Sequence, residues 1–202
     1  MTLLAMLRHA PTDWNKARRL QGRADVPLAD ISRVELKQRR LPAIVAGVHA
    51  LSSPLKRCLE TAALLDLKPT IEPRLIEMDW GAYEGHRLRD LQKKFGFDLA
   101  ANEARGLDFR PPNGESPREV QVRIDPLLQE IAAAGRPTIA VTHRGVIRAV
   151  YARATGWDMK TKAAHELDFY ALHLFRLDAD GRPNVEQLNL ALEHGCPVER
   201  FK

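Results

Sequence analysis

The feature that most constrains the fold is an apolar run near the amino terminus that ends abruptly at a polar, proline-containing segment. Leu3–Leu7 is entirely apolar, and Arg8–Thr12 follows it. Such a run predicts a strand covered on both faces, because Pro11 cannot continue a central ladder. Arg8 and His9 then lie at the strand's carboxyl end, the edge where open α/β sheets bind ligands. A cation and an imidazole there indicate an anionic ligand, but an ordinary surface pair would give the same sequence.

Two further strand-like runs end at chemically interesting residues. The run from Ile44 to Leu51 precedes Ser52-Ser53-Pro54, which predicts an N-cap followed by proline at the first position of a helix over 54–65. The run Thr138–Thr142 stops at His143, and a helix is predicted over 145–155. If these strands are parallel to the first one, His9, His143 and the region of Arg57 meet at one edge of the sheet.

The remaining patterns complete an α/β order. Ser116 and Glu119 match the capping box and begin a helix that Gly135 ends. Weak apolar periodicity at Ile31, Val34 and Leu36 predicts a further helix over 29–40. Additional elements are predicted as a short strand over 70–73, a helix over 87–97, and late strands over 170–178 and 185–190. We therefore expect a three-layer α/β/α sandwich, with a mostly parallel central sheet and helices on both faces. We expect a single domain over 1–202, with a lid segment at about 80–115.

Composition limits the classes of function. The chain has 202 residues, 45% of them apolar, which is enough for one substantial core. Its 31 basic and 26 acidic residues give a formal charge of +5, which favours anionic ligands, but no Lys/Arg block is interleaved with aromatic residues. We therefore expect no nucleic-acid partner.

No apolar stretch has the length of a membrane span and the first run is too short for a signal peptide, so a cytoplasmic protein without a membrane partner is expected. Cys58 and Cys196 lack metal-ligand spacing, so neither a disulfide framework nor a zinc site is expected.

Five segments resemble, in this order and at suitable spacing, the motifs of the histidine phosphatase superfamily, whose founding branch is the cofactor-dependent phosphoglycerate mutases. The segments are LRHAPTDWN, SSPLKRCLETA, LIEMDWGAYEG, NGESPREV and VTHRGVIRAV. Together they run from Leu3 to Val150, about three quarters of the chain.

The resemblance implies a role for each matched residue. His9 would be the nucleophile that takes the phosphoryl group, and an imidazole is substantially neutral and nucleophilic at pH 7. Glu77 would protonate the leaving oxygen, with Asp79 and Glu84 as the alternatives. The groups expected around the phosphoryl oxygens are Arg8, Arg57 and His143, and those expected to bind substrate are Asn15, Gln21 and Gly22. Guanidinium groups suit charge spread over three oxygens, so neither a metal ion nor another cofactor is expected.

The sequence departs from the family pattern after each histidine, where glycine is usual. Ala10 adds one methyl group, which costs little if its φ is negative. Arg144 adds a cation beside His143, which would either contact the substrate or point to solvent. Asn15 has an alternative reading as a turn residue that bonds to its own backbone. Five other histidines match no motif and are read as ordinary: His49, His86, His165, His173 and His194.

The spacing between motifs bears on the reaction. His143 follows Glu77 by only 66 positions, whereas the mutases that the chain resembles carry a longer insertion that keeps water from phosphohistidine. We therefore expect hydrolysis of a small phosphorylated metabolite, with a mutase, a phospho-ligand or phosphohistidine binding module, and a basic nucleic-acid-binding domain as the alternatives. Arg105 and Arg110 in the lid could read a second anionic group or merely solvate the loop. No pattern indicates an oligomeric state.

Overall fold

The predicted buried strands form a six-stranded sheet in the computed structural model, which describes residues 1–194. Its order is β4-β3-β5-β1-β6-β7. Strands β1, β3, β4 and β5 are mutually parallel. On the other side of β1, β6 pairs antiparallel with β1, and β7 pairs antiparallel with β6. A small second sheet pairs β2 with β8. The strands are β1 (Thr2–Arg8), β2 (Arg39–Arg40), β3 (His49–Ser52), β4 (Thr70–Ile71), β5 (Thr138–Thr142), β6 (Leu172–Leu177), β7 (Pro183–Leu190) and β8 (Glu193–His194).

Helices cover the sheet between these strands. The α-helices are α1 (Asp13–Lys16), α2 (Asp30–Leu36), α3 (Lys56–Leu64), α4 (Leu88–Glu103), α5 (Pro117–Ala134) and α6 (Arg144–Thr155). Short 3₁₀ turns occur at Ala43–Val45, Pro73–Leu75, Gly81–Tyr83 and Gly106–Asp108. The predicted capping box is present at α5: the Ser116 hydroxyl accepts from the Glu119 amide, and Glu119 accepts from the Ser116 amide. Gly135 ends that helix in the left-handed region, with φ 64°.

Alternation along β1 separates two cores. Leu4 and Met6 pack in one apolar cluster with residues of α5 and α6, whereas Leu3, Ala5 and Leu7 belong to a second cluster that includes Leu36 of α2. Successive strand residues point to opposite faces, so the sheet is covered on both sides. Burying each large apolar side chain contributes roughly 1.5–3 kcal/mol. The predicted three-layer α/β/α sandwich with a mostly parallel sheet is confirmed.

Three element predictions need correction. The strand expected over 44–51 is only His49–Ser52, because Ala43–Val45 forms a 3₁₀ turn and Gly47 has φ 67°. The helix expected over 54–65 begins at Lys56, and its cap residue is Leu55, without a side-chain cap. The helix expected over 87–97 continues to Glu103 past a kink at Gly96, where φ is 40°.

Three further features concern the loop after β1, the cysteines and the membrane. The polar segment over 14–28 contains the end of the short helix α1 and an isolated antiparallel bridge between Arg19 and Arg87. Cys58 is buried and free, as a small apolar residue of the core would be, and Cys196 lies outside the described residues. Among the helices of residues 1–194, none combines the length and the hydrophobicity needed to cross a lipid bilayer.

Candidate active site

His9 lies directly beyond the end of β1, with its ring held by the backbone of the next residue, Ala10. Its amide donates to the Thr142 carbonyl at 3.0 Å, which continues the pairing between β1 and β5 by one residue. The ring nitrogen Nδ1 is 2.8 Å from the Ala10 carbonyl oxygen. Because a carbonyl only accepts hydrogen bonds, Nδ1 carries the proton, and Nε2 has a free lone pair. Ala10 has a negative φ, so its extra methyl group introduces no backbone strain.

The environment of His9 keeps its imidazole neutral. The side chain is only 4% exposed. Burial, followed by the charges of Arg8 and Arg57, lowers the pKa of His9 well below its ordinary value. A neutral imidazole with an unprotonated Nε2 is the form that can act as a nucleophile.

His143 follows β5 and lies against His9. The two ring centroids are 5.2 Å apart, with the planes tilted by 60°. The Ser53 hydroxyl, at the end of β3, lies 2.7 Å from His143 Nε2 and fixes the ring's orientation. Cys58 lies behind the ring, 3.4 Å from the same nitrogen. Burial, with Arg57 as the next cause, lowers the pKa of His143 well below its usual range. The edge of the sheet therefore brings the two imidazoles together, as predicted.

Arg57 and Arg8 surround these rings with guanidinium groups. Arg57 is fully buried, and its two terminal nitrogens donate to the Gly22 and Ala24 carbonyls, each at 2.7 Å. Within residues 1–194, the buried Nε atoms of Arg8 and Arg57 lack a hydrogen-bond partner. Unpaired buried donors are costly, and donors on charged groups are suited to anionic oxygens. These two unpaired donors make the surroundings of His9 suited to an anion.

Glu77 is a buried carboxyl group held by two backbone amides. Its Oε1 accepts from Met78 at 2.9 Å and from Gly145 at 3.0 Å, while Oε2 has only a longer contact of 3.3 Å to Gly145. Burial raises the pKa of Glu77, although the Met78 amide and Arg57 oppose that rise. Since Oε1 accepts hydrogen bonds from both amides, Oε2 is the oxygen that can carry the proton of the neutral carboxyl group. A Cβ at Gly145 would overlap Oε1, so glycine is required for this approach.

The loop after β1 arranges the predicted substrate-binding residues. Asn15 Oδ1 accepts from the Thr12 amide at 2.9 Å, as the reciprocal half of a capping box. Its Nδ2 makes no hydrogen bond to any described residue, so both readings of Asn15 are compatible: the oxygen closes the turn and the amide is free to donate. Gln21 Oε1 lies 3.0 Å from the Thr12 hydroxyl. Gly22 has φ 52°, and a Cβ there would overlap Glu84.

One cavity of about 450 Å³ joins these groups. The predicted site residues that line it are Arg8, His9, Asn15, Gln21, Gly22, Glu77 and Arg144. Arg57 and His143 lie behind its wall, fully buried. Arg105 and Arg110 do not line it. Asp79 and Glu84, the alternatives to Glu77, make contacts elsewhere: Asp79 pairs with Arg23 at 3.4 Å, and Glu84 accepts from the Arg23 amide at 2.6 Å.

Four residues near the site carried no distinguishing sequence signal as functional candidates. Ser53 orients His143, and Arg148 lines the cavity. Phe169 lies beneath Arg8 and Arg144, with guanidinium-to-ring distances of 5.9 and 5.0 Å. Arg123 of α5 donates to the Arg74 carbonyl and, at 2.7 Å, to the Ile76 carbonyl. Only Ser53 and Arg148 lie within the matched motifs, where their identity could have been noted.

Comparison with known proteins identifies the family. The model of the histidine phosphatase superfamily (branch 1) matches residues 4–191. Phosphoserine phosphatase 1 of Hydrogenobacter thermophilus is 31% identical over 171 residues, covering 79% of each chain. A 2,3-bisphosphoglycerate-dependent phosphoglycerate mutase of Mesorhizobium japonicum is 28% identical, covering 88% of this chain and 93% of its own.

The chain belongs to the histidine phosphatase superfamily. A solved mycobacterial glucosyl-3-phosphoglycerate phosphatase, in complex with VO3, superposes with a TM-score of 0.78 at 26% identity, covering 95% of this chain and all of that one. The family prediction, and with it the prediction of a phosphatase enzyme that acts through histidine, is confirmed. Among residues 1–194, no group of three or more His, Cys, Asp or Glu side chains is arranged to hold a metal ion.

Proposed function

We propose that this member of the superfamily hydrolyses a small phosphomonoester through a phosphohistidine formed on His9 Nε2. The observation that carries the proposal is the neutral, buried imidazole of His9 beside two unpartnered guanidinium nitrogens, on Arg8 and Arg57. Phosphoryl transfer needs in-line positioning and neutralisation of charge spread over the equatorial oxygens. This arrangement offers both.

The steps follow from the protonation states. His9 Nε2 attacks phosphorus, and the bond to the leaving oxygen breaks as the Glu77 carboxyl group donates its proton. The resulting carboxylate of Glu77 takes a proton from water, which attacks phosphohistidine and releases inorganic phosphate. His143, oriented by Ser53, and the two arginines bind the transferred oxygens throughout.

The substrate-binding roles proposed for Asn15, Gln21, Gly22 and Arg144 rest on their position in the cavity wall. The segment over 80–115 contributes further wall residues, namely Trp80, Leu88, Glu103, Gly106 and Phe109. We propose that this segment is the lid of a single domain. The stretch of chain between Glu77 and His143 is short. A short lid supports access of water to the site, and therefore hydrolysis rather than transfer to a second acceptor.

The test is to trap the intermediate. A ³²P-labelled phosphomonoester is mixed with the enzyme in EDTA, quenched without acid, and the labelled residue is located by mass spectrometry. Label on His9, hydrolysis of p-nitrophenyl phosphate in EDTA, and loss of both in His9→Ala are expected. Label on another residue would overturn the role of His9.

A mutase is the second candidate, because relatives of that type match over most of the chain. Incubation with 3-phosphoglycerate and 2,3-bisphosphoglycerate separates the two reactions. The phosphatase releases inorganic phosphate, whereas a mutase forms 2-phosphoglycerate. Phosphate binding without turnover would indicate a phospho-ligand binding module, and DNA retention that weakens steeply with salt would indicate a nucleic-acid-binding domain.

A further inference from the structure

Two further arginines line the cavity that Arg8 and His9 also line. Arg144 and Arg148 both belong to α6 and both line the cavity wall. Residues four apart are neighbours on one face of a helix. The two guanidinium groups are therefore presented together to the ligand space.

Each of these guanidinium groups rests on an aromatic ring rather than on a carboxylate. Arg144 lies over Phe169 at 5.0 Å, and Arg148 lies over Trp157 at 5.2 Å. Within residues 1–194, neither side chain makes a hydrogen bond or an ion pair. Stacking restricts a guanidinium plane but leaves the N–H groups at its edge free to donate.

Another arginine of the same helix shows the ordinary arrangement. Arg153 points away from the cavity wall, is exposed, and pairs with Asp125 of α5 at 3.5 Å. The absence of an acidic partner is thus a property of the two cavity-lining arginines and not of α6. Arg153 also supplies a control variant on the same helix.

The arrangement is electrostatically unfavourable without a ligand. Like charges one helical turn apart repel each other, and Arg148 is half-buried. Burial, with Arg144 as the second cause, lowers the pKa of Arg148. Arg144 likewise acts to lower the pKa of Arg8. A bound anion would remove this repulsion and satisfy the free donors.

The lid arginines are not available for the same purpose. Arg110 donates through Nε to the Gly114 carbonyl at 3.0 Å and pairs with Glu119 at 3.1 Å. Arg105 is within reach of Asn102 at 3.4 Å, and neither arginine lines the cavity. The alternative in which they merely solvate the loop therefore fits the structure better than a role in reading a second anionic group.

We propose that Arg144 and Arg148 form a second anion subsite, so that the substrate is a phosphomonoester with a second anionic group. This inference rests on the proposed hydrolase function for the reaction at His9. A carboxylate and a second phosphate both present the paired oxygens that a guanidinium fork binds, so the shared chemistry is an oxyanion.

The test uses pairs of phosphoesters that differ in the second anionic group. 3-Phosphoglycerate is compared with glycerol 3-phosphate, and fructose 1,6-bisphosphate with fructose 6-phosphate. The ratio of kcat/KM within each pair isolates the second anion when the step measured is release of the phosphate that both members share, at C3 of the glycerol compounds and at C6 of the fructose compounds. We expect a ratio of about ten or more for one pair, and that pair identifies the anion as a carboxylate or a phosphate.

Substitution of the two arginines tests whether they cause the preference for the doubly anionic substrate. Arg144→Met and Arg148→Met keep much of the side-chain stem on the ring, and each should lower the ratio about tenfold, whereas Arg153→Met should leave it unchanged. Arg148→Lys, which keeps the charge without the fork, should lower it by less. A ratio near one in the wild type, or a ratio unaffected in both methionine variants, would overturn the subsite.

Calorimetric binding of the same four compounds separates this inference from the proposed function. If the protein hydrolyses neither these compounds nor p-nitrophenyl phosphate, yet binds the doubly anionic member of a pair more tightly through Arg144 and Arg148, the hydrolase proposal fails and the subsite stands. If p-nitrophenyl phosphate is hydrolysed but neither binding nor turnover discriminates within a pair, the subsite fails and the hydrolase stands. Thermal melts confirm that each variant is folded.

Discussion

Burial displaces the pKa values of His9 and Glu77 in opposite directions, and both displacements favour the proposed chemistry. A low-dielectric environment disfavours the charged form of any group. For His9 it stabilises the neutral imidazole, and for Glu77 it stabilises the protonated carboxyl group. One physical cause thus prepares a nucleophile and a proton donor at the same pH, which composition alone would not indicate.

The first prediction concerns pH. The kcat/KM for an alkyl phosphomonoester should rise as pH increases through the lowered pKa of His9, and fall as pH increases through the raised pKa of Glu77. An aryl ester needs little protonation of its leaving group, so only the first limb should apply to it. The ratio of alkyl to aryl kcat/KM, in which ionisation of the phosphate largely cancels, should therefore fall with rising pH. A ratio that stays constant over about pH 5 to 8 would contradict the role of Glu77.

Removing the proton from Glu77 by substitution gives the second prediction. Glu77→Gln keeps the shape of the side chain and an oxygen for the Met78 and Gly145 amides. It should slow hydrolysis of alkyl esters by about 10²- to 10⁴-fold, and p-nitrophenyl phosphate by much less. The measurement is kcat for both esters in both proteins. Equal slowing would show that Glu77 does not protonate the leaving group.

The third prediction tests Ser53 as a positioning residue for His143. Ser53→Ala removes the 2.7 Å contact to Nε2 and leaves that buried nitrogen with only the weaker Cys58 Sγ contact at 3.4 Å, at a cost of about 1–3 kcal/mol. We expect kcat to fall about tenfold or more, with a smaller change in KM, and the NMR signals of the His143 ring to shift. Ser32→Ala, which removes a buried hydroxyl on α2, is the control. Unchanged ring signals and unchanged kcat would remove Ser53 from the mechanism.

At the scale of elements, the sequence predicts what local patterns determine. Apolar runs located the central strands β1 and β5, and the Ser116 capping box located α5. The pattern failed over 44–51, where an apolar run looks the same whether it forms a strand or a turn held by Gly47. It also assigned the Ser52-Ser53-Pro54 segment to capping. Tertiary structure places the Ser53 hydroxyl on His143 instead, 90 residues away along the chain.

Sequence motifs indicate candidate site residues, whereas contacts between distant elements leave no signal in the sequence. His9, Glu77 and His143 each end or follow a recognisable segment. Arg123 and Phe169 lie on elements whose sequences indicate only a helix and a loop, and their importance comes from what they touch. The free donors of Arg148 likewise follow from the absence of a carboxylate beside it among the described residues, which no local pattern encodes.

The fourth prediction concerns the link between α5 and the segment that carries Glu77. Arg123 donates to the backbone carbonyls of Arg74 and Ile76, and pairs with Glu115 at 2.7 Å. Arg123→Met should therefore move Glu77, reduce stability by about 1–3 kcal/mol, and slow alkyl esters more than aryl esters. Arg118→Met, on the same helix with an exposed partner in Asp108, is the control.

The outcome for Arg123→Lys sharpens this test. Lysine keeps the charge but lacks the planar fork that reaches two carbonyls and a carboxylate together. If the position of Glu77 depends on the guanidinium fork, Arg123→Lys should, like Arg123→Met, slow alkyl esters more than aryl esters. A methionine variant that loses stability but keeps the ratio of alkyl to aryl rates would show that Arg123 supports the fold without positioning Glu77.

At the scale of the whole molecule, the site exists only after distant parts of the chain meet. The ends of β1, β3 and β5 supply His9, Ser53 and His143, because parallel strands place their carboxyl ends at one edge. The same convergence concentrates Arg8, Arg57, Arg144 and Arg148 around one cavity and its wall. Like charges held together in this way repel each other. The folded state should therefore gain stability from an anion that binds in this region.

The fifth prediction follows from that repulsion. Inorganic phosphate should bind the folded chain and not the unfolded one, so the melting temperature should rise with its concentration. At a hundred times the dissociation constant the stabilisation is about 2.7 kcal/mol, which is about 5 to 11 °C for a chain of this size. Sodium chloride at equal ionic strength should not reproduce the shift, and Arg8→Met should reduce it while Arg153→Met should not. An equal rise in chloride would mean that phosphate acts by screening charges over the whole surface, and that the guanidinium groups do not form a specific site for it.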